Sequence, residues 1–146
     1  MNMNEIPRIL LAEDNDNDVE LTLNALKDAN LANRVDVVRD GVEAMDYLLY
    51  RGKYESRKRE NPIVVMLDIK MPRMDGLQVL KNIKENPELK NIPVVMLTSS
   101  SLDKDIIESY SSGVNAYVVK PIDFAEFQTA VNHLGVFWAL INKIPN

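Results

Sequence analysis

The residues that decide the fold read IVVMLD from Ile63 to Asp68, five apolar residues followed by an aspartate. An apolar run that is continuous rather than alternating is typical of a strand buried on both faces of a parallel sheet. Four other short apolar runs are spaced along the chain, at Ile9–Ala12, Val35–Val38, Val94–Leu97 and Tyr117–Val119. The sequence therefore predicts five strands in a sheet that is covered on both sides.

Amphipathic stretches lie between these runs and indicate helices. Apolar residues recur there at helical spacing in five groups: Val19, Leu23 and Leu26; Met45, Leu48 and Leu49; Leu77, Leu80 and Ile83; Ile106, Ile107 and Tyr110; Phe124, Phe127, Val131 and Leu134. Asp123, with Glu126 three residues later, is placed to cap the last helix. Strands alternating with helices predict a doubly wound α/β fold, because right-handed crossovers put helices on both faces of the sheet. The charge-dense stretch at 51–61 is predicted to be a solvated loop.

Composition narrows the possible functions. The chain has 146 residues, the length of one domain at about 150 residues per domain. Its net charge of −5 argues against a dedicated nucleic-acid binder, which usually carries a basic face. Cysteine is absent, which excludes disulfides, thiol nucleophiles and thiolate zinc sites. The only histidine, His133, falls on the last predicted helix, where a structural or exposed role is expected.

The amino-terminal sequence carries no targeting pattern. The residues MNMNEIPR lack the basic-then-apolar order of a signal peptide. No run of about 18 apolar residues suggests a membrane span. The expected compartment is therefore the cytoplasm, with no membrane partner.

Polar side chains follow four of the five predicted strands. Glu13 and Asp14 follow the first strand, Asp68 the third, Thr98 the fourth and Lys120 the fifth. Because ligands bind outside the carboxyl ends of parallel strands, we expect these groups to lie together at one edge. Any one of them alone is more often a turn residue or a helix cap, but their coincidence at four strand ends favours a site.

Three carboxylates at one edge repel each other unless a cation neutralises them, and Mg²⁺ binds through such oxygens. A metal, an ammonium and a hydroxyl together form a receptor for a phosphoryl group, which a carboxylate can accept as an acyl phosphate. A calcium loop starting at Asp14 fits less well, because Val19 and Ala25 replace its required glycine and glutamate. Asp16 and Asp18 are instead expected to stabilise the amino end of the first helix.

Four blocks of the sequence resemble the signature blocks of response-regulator receiver domains. They are LLAEDN (Leu10–Asn15), VVMLDIKMPRMDG (Val64–Gly76), VVMLTSS (Val94–Ser100) and AYVVKP (Ala116–Pro121). All four occur in order over essentially the whole chain, which makes the resemblance highly specific. It implies a flavodoxin-like fold, with a five-stranded parallel sheet in the order 2-1-3-4-5 and five flanking helices. It also implies one receiver domain over residues 1–146, with its last helix extended at about 135–146.

The resemblance implies roles for the acidic residues. Asp68 is the expected phosphoacceptor of a stand-alone response regulator. Glu13 and Asp14 are expected to hold Mg²⁺ together with Asp68, the Lys70 backbone carbonyl and waters. The implied activity is that of a phosphoacceptor that assists its own phosphorylation and dephosphorylation, and not that of an enzyme with a separate substrate.

The resemblance also implies how the phosphoryl group is held and sensed. Thr98 is expected to hydrogen-bond one phosphoryl oxygen and Lys120 to pair with another. Tyr117 matches the aromatic switch residue that turns inward when Thr98 moves. The bond from Lys120 to Pro121 matches one that is usually cis in the family.

Some features are similar to single-domain regulators paired with bacterial phytochrome-type kinases. They are the loop at 51–61, the Thr-Ser-Ser at 98–100 and the tail VFWALINKIP at 136–145. The implied partners are a sensor histidine kinase or phosphotransfer protein and a downstream protein target. The signalling surface is expected on the fourth helix, fifth strand and fifth helix. A homodimer through that face or through the apolar tail at Phe137–Ile141 is a further prediction.

Three alternatives remain open at this point. An aspartyl-phosphate hydrolase of a related fold typically carries a second acid two residues after its nucleophile, where this chain has Lys70. A flavin-binding module would have a phosphate loop after the first strand, where this chain has the acidic EDNDND. A receiver-like domain used only for docking would not need Asp68, Thr98 and Lys120 together.

Overall fold

The computed structural model describes residues 8–27, 30–99 and 116–135. The strands are β1 (Ile9–Ala12), β2 (Val35–Val38), β3 (Val64–Asp68), β4 (Val94–Thr98) and β5 (Ala116–Val119). The helices are α1 (Asp16–Lys27), α2 (Gly41–Leu48), α3 (Gly76–Glu85) and α4 (Phe124–His133), with 3₁₀ turns at Ala32–Arg34 and Gly52–Tyr54. None of these described helices has the length and apolar character of a membrane span. The helix predicted around Ile106–Tyr110 and the tail at 136–146 lie outside the described residues.

The five strands form one parallel sheet in the order β2-β1-β3-β4-β5. This confirms the predicted doubly wound sheet and its strand order. β3 and β4 include Asp68 and Thr98 as their last residues, one position beyond the predicted apolar runs. Asp68 is in register with Leu97 of β4, and Thr98 with Val119 of β5. Both polar side chains are therefore fixed by sheet pairing and not left to a loop.

The core consists of two apolar layers, one on each face of the sheet. Leu10 and Val65 face the layer that includes α2 and α3, while Leu11 and Met66 face the layer that includes α1 and α4. All four side chains are fully buried. Because successive strand residues point to opposite faces, a sheet covered on both sides buries every position of its inner strands β1, β3 and β4. This explains why the strands read as continuous apolar runs.

Three of the described helices begin at an aspartate that caps them. The carboxylates of Asp40, Asp75 and Asp123 accept the backbone N–H three residues later, before α2, α3 and α4 respectively. The cap predicted at Asp123 is confirmed. At Asp75 the cap is reciprocal, because the Gln78 side chain accepts the Asp75 backbone N–H at 3.0 Å. These caps fix where each helix leaves its loop at the sheet edge.

The stretch at 51–61 is mostly exposed, as predicted for a solvated loop, but side chains also anchor it. The Arg57 guanidinium donates to the Tyr47 carbonyl at 2.8 Å and lies 3.9 Å from the Tyr47 ring centroid. The Tyr54 hydroxyl donates to Glu43 at 2.7 Å. Charge density alone does not indicate this anchoring, because arginine–tyrosine stacking depends on where α2 presents its ring.

Candidate metal centre

The carboxyl edge of the sheet collects the polar residues that the sequence predicts there. Glu13 and Asp14 follow β1, Asp68 and Thr98 end β3 and β4, and Lys120 follows β5. Glu13, Asp68 and Thr98 are buried, while Asp14 is exposed at the mouth of the site. The site therefore extends from buried positions to the solvent-exposed surface at this edge.

Three carboxylates lie close together at this edge. Glu13, Asp14 and Asp68 each place one oxygen within 4.8 Å of the others. Glu13 is fully buried and Asp68 nearly so. Buried carboxylates at this separation ionise together only when positive charge compensates them.

Lys120 provides part of that positive charge. Its Nζ lies 2.8 Å from Asp18 Oδ2, 3.1 Å from Glu13 Oε1 and 3.4 Å from Asp68 Oδ1. The backbone N–H of Lys120 donates to the Thr98 carbonyl at 2.7 Å, which ties the end of β5 to β4. The peptide bond from Lys120 to Pro121 is cis, as the family resemblance implies.

The ammonium of Lys120 offsets only part of the effect of burial on Glu13. Burial raises the pKa of Glu13 to about 7, and the nearby Asp68 carboxylate adds to the rise while Lys120 opposes it. Burial alone would lower the pKa of Lys120, but its contacts with Asp18, Asp68 and Glu13 outweigh burial and hold that pKa above its usual value. Lys120 is therefore a permanent cation, and Glu13 still holds a proton too strongly for an ordinary carboxylate.

The donor set fits a hard divalent cation such as Mg²⁺. Asp14 and Lys70 line the same open cavity of about 530 Å³, together with Ile69, Met71, Pro72 and Asp75. Mg²⁺ usually takes one or two carboxylates and keeps several waters, which suits a site that combines buried carboxylates with an opening to solvent. The negative charge of these clustered carboxylates, shared with a single ammonium, is what such a cation would neutralise.

The backbone around Asp68 is held by the start of α3. The Gly76 N–H donates to the Ile69 carbonyl at 2.8 Å and closes the loop between β3 and α3. A Cβ at Gly76 would lie 2.2 Å from the Asp68 carbonyl oxygen, so only glycine permits this approach. The close contact fixes the position from which the Asp68 side chain enters the site.

Thr98 and Tyr117 lie on neighbouring strands. Thr98 is fully buried, and Tyr117 is half-buried against the layer that includes α2 and α3. Tyr117 is in register with Met96, two residues before Thr98. The structure thus places the two predicted switch residues close in the sheet, while most of the segment between them, at 100–115, lies outside the described residues.

One residue of the site was missed by the sequence analysis. Asp18, in the first turn of α1, holds Lys120, although its sequence position suggested only a favourable charge at a helix terminus. The spacing gave no signal for this contact, because it depends on how α1 is rotated about its axis. The neighbouring Asp16 instead pairs with Arg39 at the surface. His133 is exposed at the end of α4, as expected.

Comparison with known proteins points in the same direction. A family model described as "Response regulator receiver domain" matches residues 9–132. The response regulator Rcp1 of Synechocystis sp. is 39% identical over 137 residues, which cover 94% of this chain and 92% of Rcp1.

Solved structures extend the comparison. The bacteriophytochrome response regulator AtBRR is 54% identical with a TM-score of 0.88, covering 94% of this chain and 99% of AtBRR. The phosphorylated cyanobacterial phytochrome response regulator RcpA is 36% identical with a TM-score of 0.71, covering 96% and 97%. The Mn²⁺-bound form of Rcp1 is 34% identical with a TM-score of 0.68, covering 95% and 98%.

Proposed function

The chain belongs to the family of response regulator receiver domains, and from that premise we propose that Asp68 accepts a phosphoryl group from a phosphohistidine. Family membership makes the chain a phosphoacceptor of two-component signalling and not a conventional enzyme. The observation that carries the choice of Asp68 is its position. It ends β3 as a buried carboxylate, 3.4 Å from Lys120 and within 4.8 Å of Glu13 and Asp14.

The transfer requires only a carboxylate nucleophile. An oxygen of Asp68 attacks the phosphorus, and the bond between phosphorus and the donor's imidazole nitrogen breaks. The electron pair of that bond stays on the imidazole, which takes a proton from solvent, and the product is an acyl phosphate on Asp68. No histidine of this chain takes part, which suits the exposed position of His133.

Negative charge accumulates as the phosphoryl group approaches three carboxylates. Mg²⁺ held by Glu13, Asp14, Asp68 and the Lys70 carbonyl would neutralise that charge when bound. The Mn²⁺-bound form of Rcp1 supports a divalent cation in a related chain. Asp14 stays exposed and shares its cavity with Lys70, so the donor reaches the site from solvent.

Lys120 and Thr98 hold the transferred group. The Lys120 ammonium, 3.4 Å from Asp68, pairs with one phosphoryl oxygen, and the Thr98 hydroxyl donates to another. Thr98 moves toward the phosphoryl group to make this bond, and Tyr117 then turns inward beside it. The signal is thus a rearrangement of β4 and β5 at the surface.

The same site also favours loss of the phosphoryl group. Attack by water on the phosphorus breaks the bond to the Asp68 oxygen, releases inorganic phosphate and restores the carboxylate. Lys120 stabilises the charge of this reaction as it does for the forward transfer, and a metal held by Glu13, Asp14 and Asp68 would add to that stabilisation. The chain thereby assists its own phosphorylation and dephosphorylation.

The donor and the downstream partner are proteins in this proposal. The similarity to AtBRR, a bacteriophytochrome response regulator, and to RcpA, a cyanobacterial phytochrome response regulator, supports a phytochrome-type histidine kinase or its phosphotransfer protein as donor. The downstream target binds the face made of β5, α4 and the helix predicted around Ile106–Tyr110. A homodimer through that face or through Phe137–Ile141 belongs to the same proposal, as does a single receiver domain over residues 1–146.

The test is phosphorylation by a small-molecule donor. The full chain is incubated with acetyl phosphate and Mg²⁺, and intact mass is measured before and after. We expect a gain of one phosphoryl group that hydroxylamine removes, because hydroxylamine cleaves acyl phosphates. Asp68→Asn should abolish the gain.

A matched control comes from the same loop. Asp75→Asn keeps an equally good helix cap for α3 and leaves the proposed acceptor intact, so it should still be phosphorylated. A phosphoryl gain that survives Asp68→Asn would show that another residue is the acceptor. Steady turnover of a phosphomonoester would instead favour the hydrolase alternative.

A further inference from the structure

The turn between β2 and α2 contacts the start of α1 on one side and the loop between β3 and α3 on the other. Arg39 in this turn pairs with Asp16, two residues after Asp14. The next residue, Asp40, pairs with Arg73 in the loop that carries Lys70. Of these two contacts, only the Asp40 pair reaches the loop that carries Lys70, and its carboxylate is the more buried of the two.

The pair of Arg73 and Asp40 has the geometry of a strong interaction. Arg73 Nε donates to Asp40 Oδ2 at 2.9 Å, and Nη2 donates to Oδ2 at 2.8 Å and to Oδ1 at 3.0 Å. The Asp40 side chain is only 15% exposed, and it also accepts the Glu43 N–H as the cap of α2. A two-pronged arginine–carboxylate pair on an already fixed carboxylate is both directional and stabilising.

The backbone of Arg73 needs such support. Its φ is +65°, in the left-handed region that non-glycine residues rarely adopt. The Met74 N–H donates to the Pro72 carbonyl at 2.7 Å, which makes Arg73 the centre of a tight three-residue turn. A strained conformation of this kind persists only where surrounding contacts hold it.

The amino end of α2 presses directly on the same turn. A Cβ at Gly41 would lie 2.0 Å from the Met74 carbonyl oxygen, so the α2 backbone touches the loop. At the far end of the loop, the Gly76 N–H closes it onto Ile69. The loop is thus held at Gly76 and at the contact with α2, and Lys70 lies in the part that remains open to the cavity.

We propose that Arg73 and Asp40 are positioning residues for the metal site. Their ion pair holds the loop at 69–76 in the conformation that brings the Lys70 carbonyl to the cation. Neither residue is itself a proposed ligand, so their effect passes through the backbone of the loop. This inference rests on the proposed metal site of Glu13, Asp14 and Asp68.

The test measures Mn²⁺ binding to the full chain by the electron paramagnetic resonance signal of free Mn²⁺. Arg73→Asn removes the guanidinium but tolerates the left-handed backbone, and Asp40→Asn removes the charge but keeps an oxygen to cap α2. Each should weaken Mn²⁺ binding about tenfold, the lower end of the effect of residues behind metal ligands. The double variant should be no weaker than either single variant, because both remove one interaction.

Arg39→Ala is the matched control. The two arginines are similarly exposed, Arg39 at 50% and Arg73 at 59%, but Asp16 is 89% exposed whereas Asp40 is only 15% exposed. The Arg39 pair therefore contributes little, and its loss should leave Mn²⁺ affinity unchanged. Melting temperature without metal is measured on every variant. A lower melting temperature with unchanged Mn²⁺ affinity in both Asn variants would overturn the inference, because the pair would then be structural only.

The proposed metal site has its own control in the same experiment. Asp14→Asn should lose most Mn²⁺ binding. If Asp14→Asn bound Mn²⁺ as tightly as the wild type, the metal site and this inference would both fail. If Asp14→Asn lost binding while the Arg73 and Asp40 variants kept it, the inference alone would fail.

Discussion

At the scale of single residues, Lys120 is the group on which the electrostatics of the site depend. Its ammonium contacts Glu13, Asp18 and Asp68, and its side chain is only 13% exposed. In the metal-free protein we expect Lys120→Met to lower the free energy of unfolding by about 3 kcal/mol, because it leaves buried carboxylates without a counter-charge. Urea unfolding at neutral pH with a chelator measures the change. Removing one partner of a buried ion pair typically costs about 3–5 kcal/mol. We expect the lower figure because Glu13 can take up a proton.

The control for this prediction is Lys81→Met. Lys81 is exposed within α3, and lysine and methionine have similar helix propensities, so its replacement should change stability by less than about 0.5 kcal/mol. Adding Mg²⁺ should recover part of the stability of Lys120→Met. Equal effects of the two substitutions would contradict the role given to Lys120.

A second residue-scale prediction concerns Asp36 on the edge strand β2. The Asp36 carboxylate accepts two hydrogen bonds, one from Arg8 Nη2 at 2.7 Å and one from the Tyr47 hydroxyl at 2.5 Å. Burial alone would raise the pKa of Asp36, but these hydrogen bonds outweigh it and hold the pKa below its usual value. A depressed pKa in the folded state means that the ionised form stabilises the fold. That contribution is complete above the unfolded pKa of about 3.9 and is lost as pH falls through the folded value.

Asp36→Asn should therefore be most destabilising at neutral pH. We expect a loss of about 1–2 kcal/mol there, limited by partial exposure to solvent, and a smaller loss below about pH 4. Urea unfolding across this pH range compares the variant with the wild type. Tyr47→Phe keeps the Arg8 pair and should keep most of the pH dependence. A destabilisation by Asp36→Asn that does not change with pH would refute the assignment.

Some residues of the candidate site could be predicted from the sequence and others could not. Glu13, Asp14 and Asp68 follow from the rule that ligands gather at the carboxyl ends of parallel strands, because strand position alone decides their place. Asp18 could not be assigned in this way, since its contact with Lys120 depends on how α1 is rotated about its axis. The role of Arg73 could not be predicted either, because it depends on a positive φ that arginine rarely adopts.

At the scale of elements, the junction of β3 and α3 depends on the absence of a side chain at Gly76. A Cβ there would lie 2.2 Å from the Asp68 carbonyl oxygen. Because that oxygen belongs to the backbone of β3, it cannot move aside without distorting the strand. We expect Gly76→Ala to lower the free energy of unfolding by at least about 2 kcal/mol. Without this contact the same change would stabilise a helix, because alanine has the higher helix propensity. The sign of the effect in urea unfolding is therefore decisive.

Gly135→Ala separates crowding from backbone strain. Gly135 has a φ of +76° and nothing within 4 Å of a built Cβ, so its replacement should cost only about 1 kcal/mol of left-handed strain. Gly76→Ala should also impair phosphoryl acceptance by displacing Asp68, whereas Gly135→Ala should not. A stabilising Gly76→Ala would show that the junction is looser than its geometry indicates.

The elements themselves were the most predictable part of the molecule. β1 and β2 have the predicted bounds, because their apolar runs end where the chain turns polar. β3 and β4 extend to Asp68 and Thr98, since strand pairing continues past the last apolar residue. The anchoring of the loop at 51–61 was not predictable, because it depends on rings that α2 presents. Periodicity predicts which face is buried but not which polar side chains meet.

At the scale of the whole molecule, the metal site draws on several parts of the fold at once. Glu13 and Asp14 come from the end of β1, Asp68 from β3 and Lys120 from the end of β5. The two apolar layers hold these strands in one sheet. A cation that bridges the strand ends is therefore bound only by the folded chain, and its binding stabilises the fold as a unit.

This linkage gives a quantitative prediction for the folded chain. Above the dissociation constant, each tenfold rise in free Mg²⁺ should add about 1.4 kcal/mol to the free energy of unfolding, because one ion binds only the native state. Asp14→Asn removes an exposed ligand with little other effect and should abolish the slope, whereas Asp16→Asn, 89% exposed in the same segment, should retain it. Urea unfolding at a series of Mg²⁺ concentrations and constant ionic strength measures the slope. A flat wild-type response, or equal slopes for both variants, would place the cation elsewhere. Loss of the slope in Asp14→Asn alone would tie the stability of the whole sheet to one ion at its carboxyl edge.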